Sequence, residues 1–279
     1  MATLTNPERA EASRSADRAT DLATGPTTYT VLGTHISALT FEGALRELLE
    51  APALGRHMRV HFCTTHGLVE GASDQRFQEV LNRGDIVAPD GMPLVWLGRR
   101  AGRTVERVCG PDIMPALMDR GRQIGARHYL YGGALGVPER IAARMRAKYP
   151  SVNIVGLESP PFRPLMDEDD RAAVDRINAA RPDYVWVGLG TPKQDLWLAE
   201  HRGRLDASVL LAVGAAFDYL GGSRRRAPRA LQRTGLEWLW RLASEPRRLG
   251  RRYTMLNLTF LWLLARDSVR SRFGRRRPR

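Results

Sequence analysis

From residue 27 onward, short apolar runs alternate with amphipathic stretches. The strand-like runs are Thr28–Leu32, Arg59–Cys63, Ile86–Ala88, His128–Tyr131, Asn153–Leu157, Tyr184–Leu189 and Val209–Val213. Between most of them apolar residues recur at helical spacing, which predicts helices over Thr40–Glu50, Leu68–Asn82, Gly110–Ile124, Pro138–Lys148, Glu168–Ala180 and Lys193–His201. Such alternation implies βαβ units and an α/β fold, Rossmann-like, with a mostly parallel sheet flanked by helices. Ligands of open α/β sheets bind beyond the carboxyl ends of the strands, so the turns after those strands are where chemistry belongs.

The apolar pattern changes after residue 220. Gly235-Leu-Glu-Trp-Leu-Trp-Arg-Leu-Ala and Met255-Leu-Asn-Leu-Thr-Phe-Leu-Trp-Leu-Leu-Ala both repeat apolar groups at helical spacing, with Arg247 to Arg252 between them. The second run is shorter than the roughly 20 residues a spanning helix needs. It fits a membrane interface, with Phe260 and Trp262 down and arginines at the flanks, or a terminal helix packed on the core. Charge marks the same boundary. Gly221 to Arg279 holds seventeen arginines against three acids, +14, whereas the whole chain of 279 residues carries +13. The first 220 residues are therefore near neutral, and the basicity is an appended device that attracts phosphate.

Residues 27–220 are thus expected to form one α/β core, residues 221–279 a C-terminal basic helical, membrane-associating appendage, and residues 1–26 a disordered leader with no apolar targeting segment. Two cysteines, Cys63 and Cys109, are too few for a disulfide framework and lack zinc-site spacing, which suits a reducing cytosol.

Four turns carry candidate chemistry. Gly132-Gly133-Ala-Leu-Gly136 follows a strand and opens a helix, so its backbone can approach an anion. As a dinucleotide fingerprint it is defective, because Tyr131 occupies the first glycine position, although Glu158 stands where a ribose-binding acid would be. Gly188-Leu-Gly190-Thr-Pro-Lys193-Gln194 brings glycines, a helix start and a cation together where a diphosphate could bind; a plain strand-to-helix connection with Lys193 in water needs the same glycines. Asp90, between Pro89 and Gly91, is either a general base fixed at the mouth of the sheet or a structural Asp-Gly turn. Arg107, Gly110 and Asp112 are either substrate-binding residues or a structural ion pair with a helix N-cap. Asp167-Glu-Asp169 has metal-binding Asp-x-Asp spacing, but its place at a helix start favours capping, and no ligand cluster for a metal is expected.

In order along the chain, Asp90-Gly91-Met92-Pro93 with Trp96, Arg107-x-x-Gly110-x-Asp112, Gly188-x-Gly190-x-Pro192-Lys193-Gln194, Gly214-Ala-Ala-Phe-Asp218, Arg226-Ala-Pro228 and Gly235-Leu-Glu-Trp-Leu-x-Arg241 through Glu245 and Arg248 resemble the WecG/TagA/CpsF glycosyltransferases. The resemblance runs from about residue 28 to 260. It implies a metal-independent, cofactor-free, inverting transfer from a UDP-sugar to a polyprenyl-diphosphate-linked saccharide, at the cytoplasmic face of the membrane. The polymer would be a surface polysaccharide or a wall polymer, and the sugar N-acetylmannosamine, its uronic acid, glucose or similar. By that resemblance Asp90 is the base, Gln194, the Gly188/Gly190 turn and Asp218 meet the nucleotide sugar, and Arg241, Arg248 and Arg252 of the appendage complete the site. Many relatives carry an Asn in the turn after Arg59–Cys63, near an important Thr, where this chain reads Phe62-Cys-Thr64-Thr65-His66; the resemblance points to Thr64, and His66 either helps hold the acceptor or is a structural histidine. The usual Glu after Pro-Lys-Gln is here Asp195.

The expected partners are the donor, the lipid-linked acceptor and an anionic membrane surface, with a homo-oligomer left open. A nucleic-acid-binding protein gripping the backbone with its arginines is the rival, but Trp238, Trp240 and Trp262 in amphipathic order favour a membrane and no nucleic acid. An NAD-dependent enzyme would need the defective glycine turn to work.

Overall fold

A computed structural model describes residues 27–161, 163, 166–244 and 255–267. The leader 1–26, Arg248, Arg252 and the terminal arginines 275–279 lie outside the described residues. The chain opens with an antiparallel hairpin, β1 (Thr28–Val31) and β2 (Thr34–Ser37). Leu32 and Gly33 join its strands with positive φ angles of 51° and 84°, the sense that suits the twist of a two-residue hairpin. The sequence pattern showed only β1, because a leucine at the first turn position disguises the turn.

The main sheet has six strands, all parallel, in the spatial order β4-β3-β8-β7-β5-β6. These are β3 (Met58–Cys63), β4 (Ile86–Pro89), β5 (Arg127–Gly132), β6 (Asn153–Glu158), β7 (Tyr184–Gly188) and β8 (Val209–Ala212). Every residue of β3, β4 and β8 is buried, as expected of parallel strands covered on both faces. Alternation sorts the two faces. Trp186 and Leu211 join one core with Leu45, Leu117, Ile141 and Phe217, while Val185, Val187 and Leu210 join the opposite core with Trp197 and Leu198.

Helices α1 (Phe41–Glu50), α2 (Thr65–Ser73), α3 (Gln75–Asn82), α4 (Met92–Arg100), α5 (Gly110–Gly121), α6 (Val137–Lys148), α7 (Asp167–Ala179), α8 (Lys193–Glu200) and α9 (Ala216–Leu220) follow in chain order. Three features depart from the sequence pattern, the short helix α9 after the Gly214 turn being one that it did not predict. The single helix expected over Leu68–Asn82 is broken at Asp74, whose extended backbone lets its carboxylate accept the Phe77 N–H at 3.2 Å and cap α3. The α4 helix begins inside what reads as a turn, since Pro93 is tolerated in a first helical turn.

The appendage continues with α10 (Arg229–Arg233), α11 (Glu237–Ser244) and a helix α12 over 255–267. It is seated on the core at several places. Arg226 forms a bidentate pair with Asp112, Ala227 is buried, and Phe260 joins the core cluster of Tyr29, Phe77, Leu94 and Val95. The expectation that Phe260 faces a membrane is corrected accordingly: it packs inward, while Trp262 on the same helix is exposed.

Candidate active site

Because all six strands run the same way, their carboxyl ends open on one edge, and a cavity of about 1820 Å³ lies there. Turns after β3, β4, β5, β7 and β8 line it, and α11 and α12 of the appendage close one side.

Asp90 leaves the end of β4 into this space. Its N–H donates to the Cys63 carbonyl at 3.0 Å, which ties it to the neighbouring strand. Arg107 donates through Nε to the Asp90 carbonyl and through Nη2 to Oδ1 at 3.2 Å. The same Nη2 donates to Glu237 Oε2 at 2.7 Å, so an acid of α11 reaches the core cation that holds Asp90. The side chains are mostly buried, with 19% exposure for Arg107 and Asp90 and 13% for Glu237. Burial opposes the charge on Arg107, but the carboxylates of Asp90 and Glu237 outweigh it and raise its pKa above the ordinary arginine value.

Across the cavity, β7 runs into the turn Gly188–Gln194. Gly132 and Gly188 bring the ends of β5 and β7 into close approach, and Gly133 N–H donates to the Gly188 carbonyl at 2.9 Å. Gly190 has φ +78°, and a side chain there would meet only open space. Gln194 is buried and braces the turn: its Oε1 accepts from Gly190 N–H at 3.1 Å and its Nε2 donates to the Ala212 carbonyl at 2.9 Å. Beneath it, Asp195 meets His61 Nδ1 at 2.8 Å in a buried pair that fastens α8 to β3. Lys193 is exposed on the cavity wall. Asp218 also lines the cavity, with Ser223 and Arg224 beside it.

Thr64 and His66 line the cavity beyond β3. Thr64 caps α2, its hydroxyl accepting from Gly67 N–H at 3.4 Å, and His66 lies 3.9 Å from Glu70. The cavity therefore gathers Asp90, Gly91, Thr64, His66, Arg107, Gly133, Gly188, Gly190, Lys193, Gln194 and Asp218. Gly110, Asp112 and Gly132 stand behind its wall: Gly110 packs against Val213, Gly132 against Gly188, and Asp112 pairs with Arg226. The backbone of Arg241 lies in α11, and its side chain is outside the described set. Glu237 is the residue that sequence reasoning passed over, although it sits inside the Gly235–Arg241 block.

Two other candidates are engaged elsewhere. Glu158 accepts from Tyr129 at 3.0 Å and from Arg176 at 2.7 Å, away from the cavity. Asp169 accepts the Met166 N–H at 3.2 Å at the start of α7 and pairs with Arg163. Among the described residues no cluster of three or more His, Cys, Asp or Glu is placed to hold a metal.

The Asp112–Arg226 clamp fixes where the appendage leaves the core. Burial would raise the Asp112 pKa, but Arg226 and the Cys109 thiol bond its carboxylate and the net shift is downward. A depressed carboxylate stabilises the fold above its unfolded pKa of about 3.9, and that contribution disappears as pH falls through the lower folded value. Arg226→Ala is therefore expected to lower Tm at pH 7, with the difference from wild type closing in strong acid. Parallel melting curves across pH check this.

A family model described as "Glycosyl transferase WecG/TagA/CpsF family" matches residues 29–274. A Bacillus spizizenii protein named N-acetylglucosaminyldiphosphoundecaprenol N-acetyl-beta-D-mannosaminyltransferase is 31% identical over 183 residues, covering 65% of this chain and 69% of its own length.

Proposed function

The chain belongs to the WecG/TagA/CpsF family and is a glycosyltransferase; we propose that it moves N-acetylmannosamine or a close relative from a UDP-sugar to a saccharide on a polyprenyl diphosphate, in cell-wall or surface-polymer assembly. The carrying observation is that Asp90, held by Arg107, and the Gly188–Gln194 turn face one cavity. Support for the sugar and the lipid-linked acceptor comes from the printed name of the Bacillus relative.

In this mechanism the donor diphosphate lies against the Gly190 opening, Lys193 and the start of α8, where a helix dipole and a cation favour developing negative charge. Gln194 keeps that turn in shape and Asp218 holds the nucleotide sugar. Asp90 takes the proton of the acceptor hydroxyl, which attacks the anomeric carbon opposite the departing UDP and inverts its configuration. Thr64 and His66 position the acceptor, and Arg241, Arg248 and Arg252 are assigned to its diphosphate. A screen for UDP release from several UDP-sugars, with a soluble short-prenyl-diphosphate saccharide as acceptor, tests the assignment. Acceptor-dependent release is expected with the N-acetylmannosamine donor; its absence with every donor would remove the proposal.

The transfer is proposed to need no metal. Asp169, the second acid of the Asp-x-Asp spacing, is occupied by a helix start and Arg163. Turnover should survive EDTA, and loss on chelation that manganese restores would contradict this.

The enzyme is further proposed to bind the inner face of the membrane peripherally. No helix among the described residues is long and apolar enough to cross one. Instead Trp238, Leu239, Met255, Leu258, Leu261 and Trp262 are exposed on α11 and α12, with Arg266 over the Trp262 ring at 5.0 Å. Trp262→Ser with Leu258→Ser should weaken sedimentation with anionic vesicles while every arginine is kept. Removing residues 275–279 should cost about 1 kcal/mol of binding per near-surface arginine and leave turnover of a soluble acceptor unchanged. Tight duplex-DNA binding unaffected by the Trp262 change, and steeply salt-dependent, would favour a nucleic-acid role.

A further inference from the structure

Glu237 begins α11, where an acid could satisfy the helix dipole while remaining in water. It is instead among the least exposed carboxylates of the site, and its 2.7 Å bond is made to Arg107, a core residue 130 positions away in sequence. The segment is brought there by packing: Gly235 lies against Met92 and Trp96 of α4, so closely that an added Cβ would come within 3.0 Å of both. The shorter of the two carboxylate bonds on Arg107 Nη2 thus goes to the appendage, the longer one to Asp90.

We propose that Glu237 is a positioning residue that acts on Asp90 through Arg107, so that seating α11 and orienting the base are one event. The inference rests on Asp90 being the base. A guanidinium is planar, and its orientation is fixed when its Nε and Nη2 are anchored in different directions. Arg107 has such anchors: the Asp90 carbonyl on Nε, and Asp90 Oδ1 and Glu237 Oε2 on Nη2. Without the Glu237 bond, Nη2 keeps only its longer carboxylate contact of the two and can swing fully onto Asp90. That movement draws the Asp90 carboxylate away from an incoming hydroxyl and neutralises more of its charge, and both effects oppose proton removal.

The test uses the full chain and a soluble acceptor, so that membrane binding does not enter. Glu237→Gln is expected to lower kcat by about tenfold or more, with donor KM within about twofold and Tm little changed. Glu237→Asp should recover part of the rate, because it restores the charge at shorter reach. On an Arg107→Gln background the Glu237→Gln change should cost less than about twofold, since its effect travels through Arg107. An unaltered kcat in Glu237→Gln, or the same loss on the Arg107→Gln background, would overturn the proposal. So would a matched fall in Tm and rise in KM with no Asp rescue, which would mark a packing role. Asp90→Asn assayed alongside separates the two claims. If that variant turns over normally, the base assignment fails, and with it any action of Glu237 on Asp90. If only the Glu237 coupling is absent, the base assignment stands alone.

Discussion

Asp90→Asn is expected to lower kcat by about 100-fold or more while leaving the fold and donor binding intact. The substitution keeps the shape of the side chain and an oxygen for Arg107, but the amide cannot accept the proton that the acceptor hydroxyl must lose. The backbone ties of Asp90, its N–H to Cys63 and its carbonyl to Arg107, do not involve the carboxylate and should persist. Steady-state kinetics with a donor-binding titration check both halves. A rate near wild type would remove Asp90 from the chemistry, and a large loss of donor affinity would show that its carboxylate serves binding instead.

The second large effect is expected on stability. At Gly132 an added Cβ would lie 2.6 Å from the Gly188 backbone, at φ +128°, so Gly132→Ala combines a backbone clash with a conformation that L residues avoid. Overpacking and a disfavoured φ each cost on the order of 1–3 kcal/mol, and about 2–4 kcal/mol together is expected, a fall in Tm of roughly 5–12 °C. Gly188→Ala brings its Cβ within 2.5 Å of the buried Phe217 ring and should also destabilise the fold. Because these glycines bring the ends of β5 and β7 together below the Gly188–Gln194 turn, activity should fall with stability. A Gly132→Ala protein melting within about 2 °C of wild type would show that the two strand ends can separate freely.

The sheet was legible because each central strand is a short apolar run and each covering helix an amphipathic one. β8, Val209–Ala212, offers nothing but apolar residues to two covered faces. What escaped the pattern turned on local detail. The hairpin hides behind Leu32 at a positive φ, the break at Asp74 depends on one capping carboxylate, and the start of α4 looks like a turn because Gly91 and Pro93 surround it. The turns beyond β4 and β7 could be singled out as site candidates, since Asp90, Gly188 and Gly190 punctuate strand ends. Glu237 could not be ranked from spacing alone. Its meaning comes from a contact across 130 residues, and periodicity reports only neighbours on one element. Phe260 failed for a related reason: an apolar stripe on a terminal helix fits a membrane and a core equally well, and only tertiary packing assigns Phe260 to one and leaves Trp262 to the other.

The central claim is a single inverting displacement in which Asp90 deprotonates the acceptor while UDP departs from the opposite face. The most direct measurement is the anomeric configuration of the product, read by NMR after transfer from an α-linked UDP-N-acetylmannosamine to a soluble short-prenyl-diphosphate saccharide. A β-linked product, formed by the wild-type protein and nearly lost in Asp90→Asn, is the predicted result; an α-linked product would contradict it.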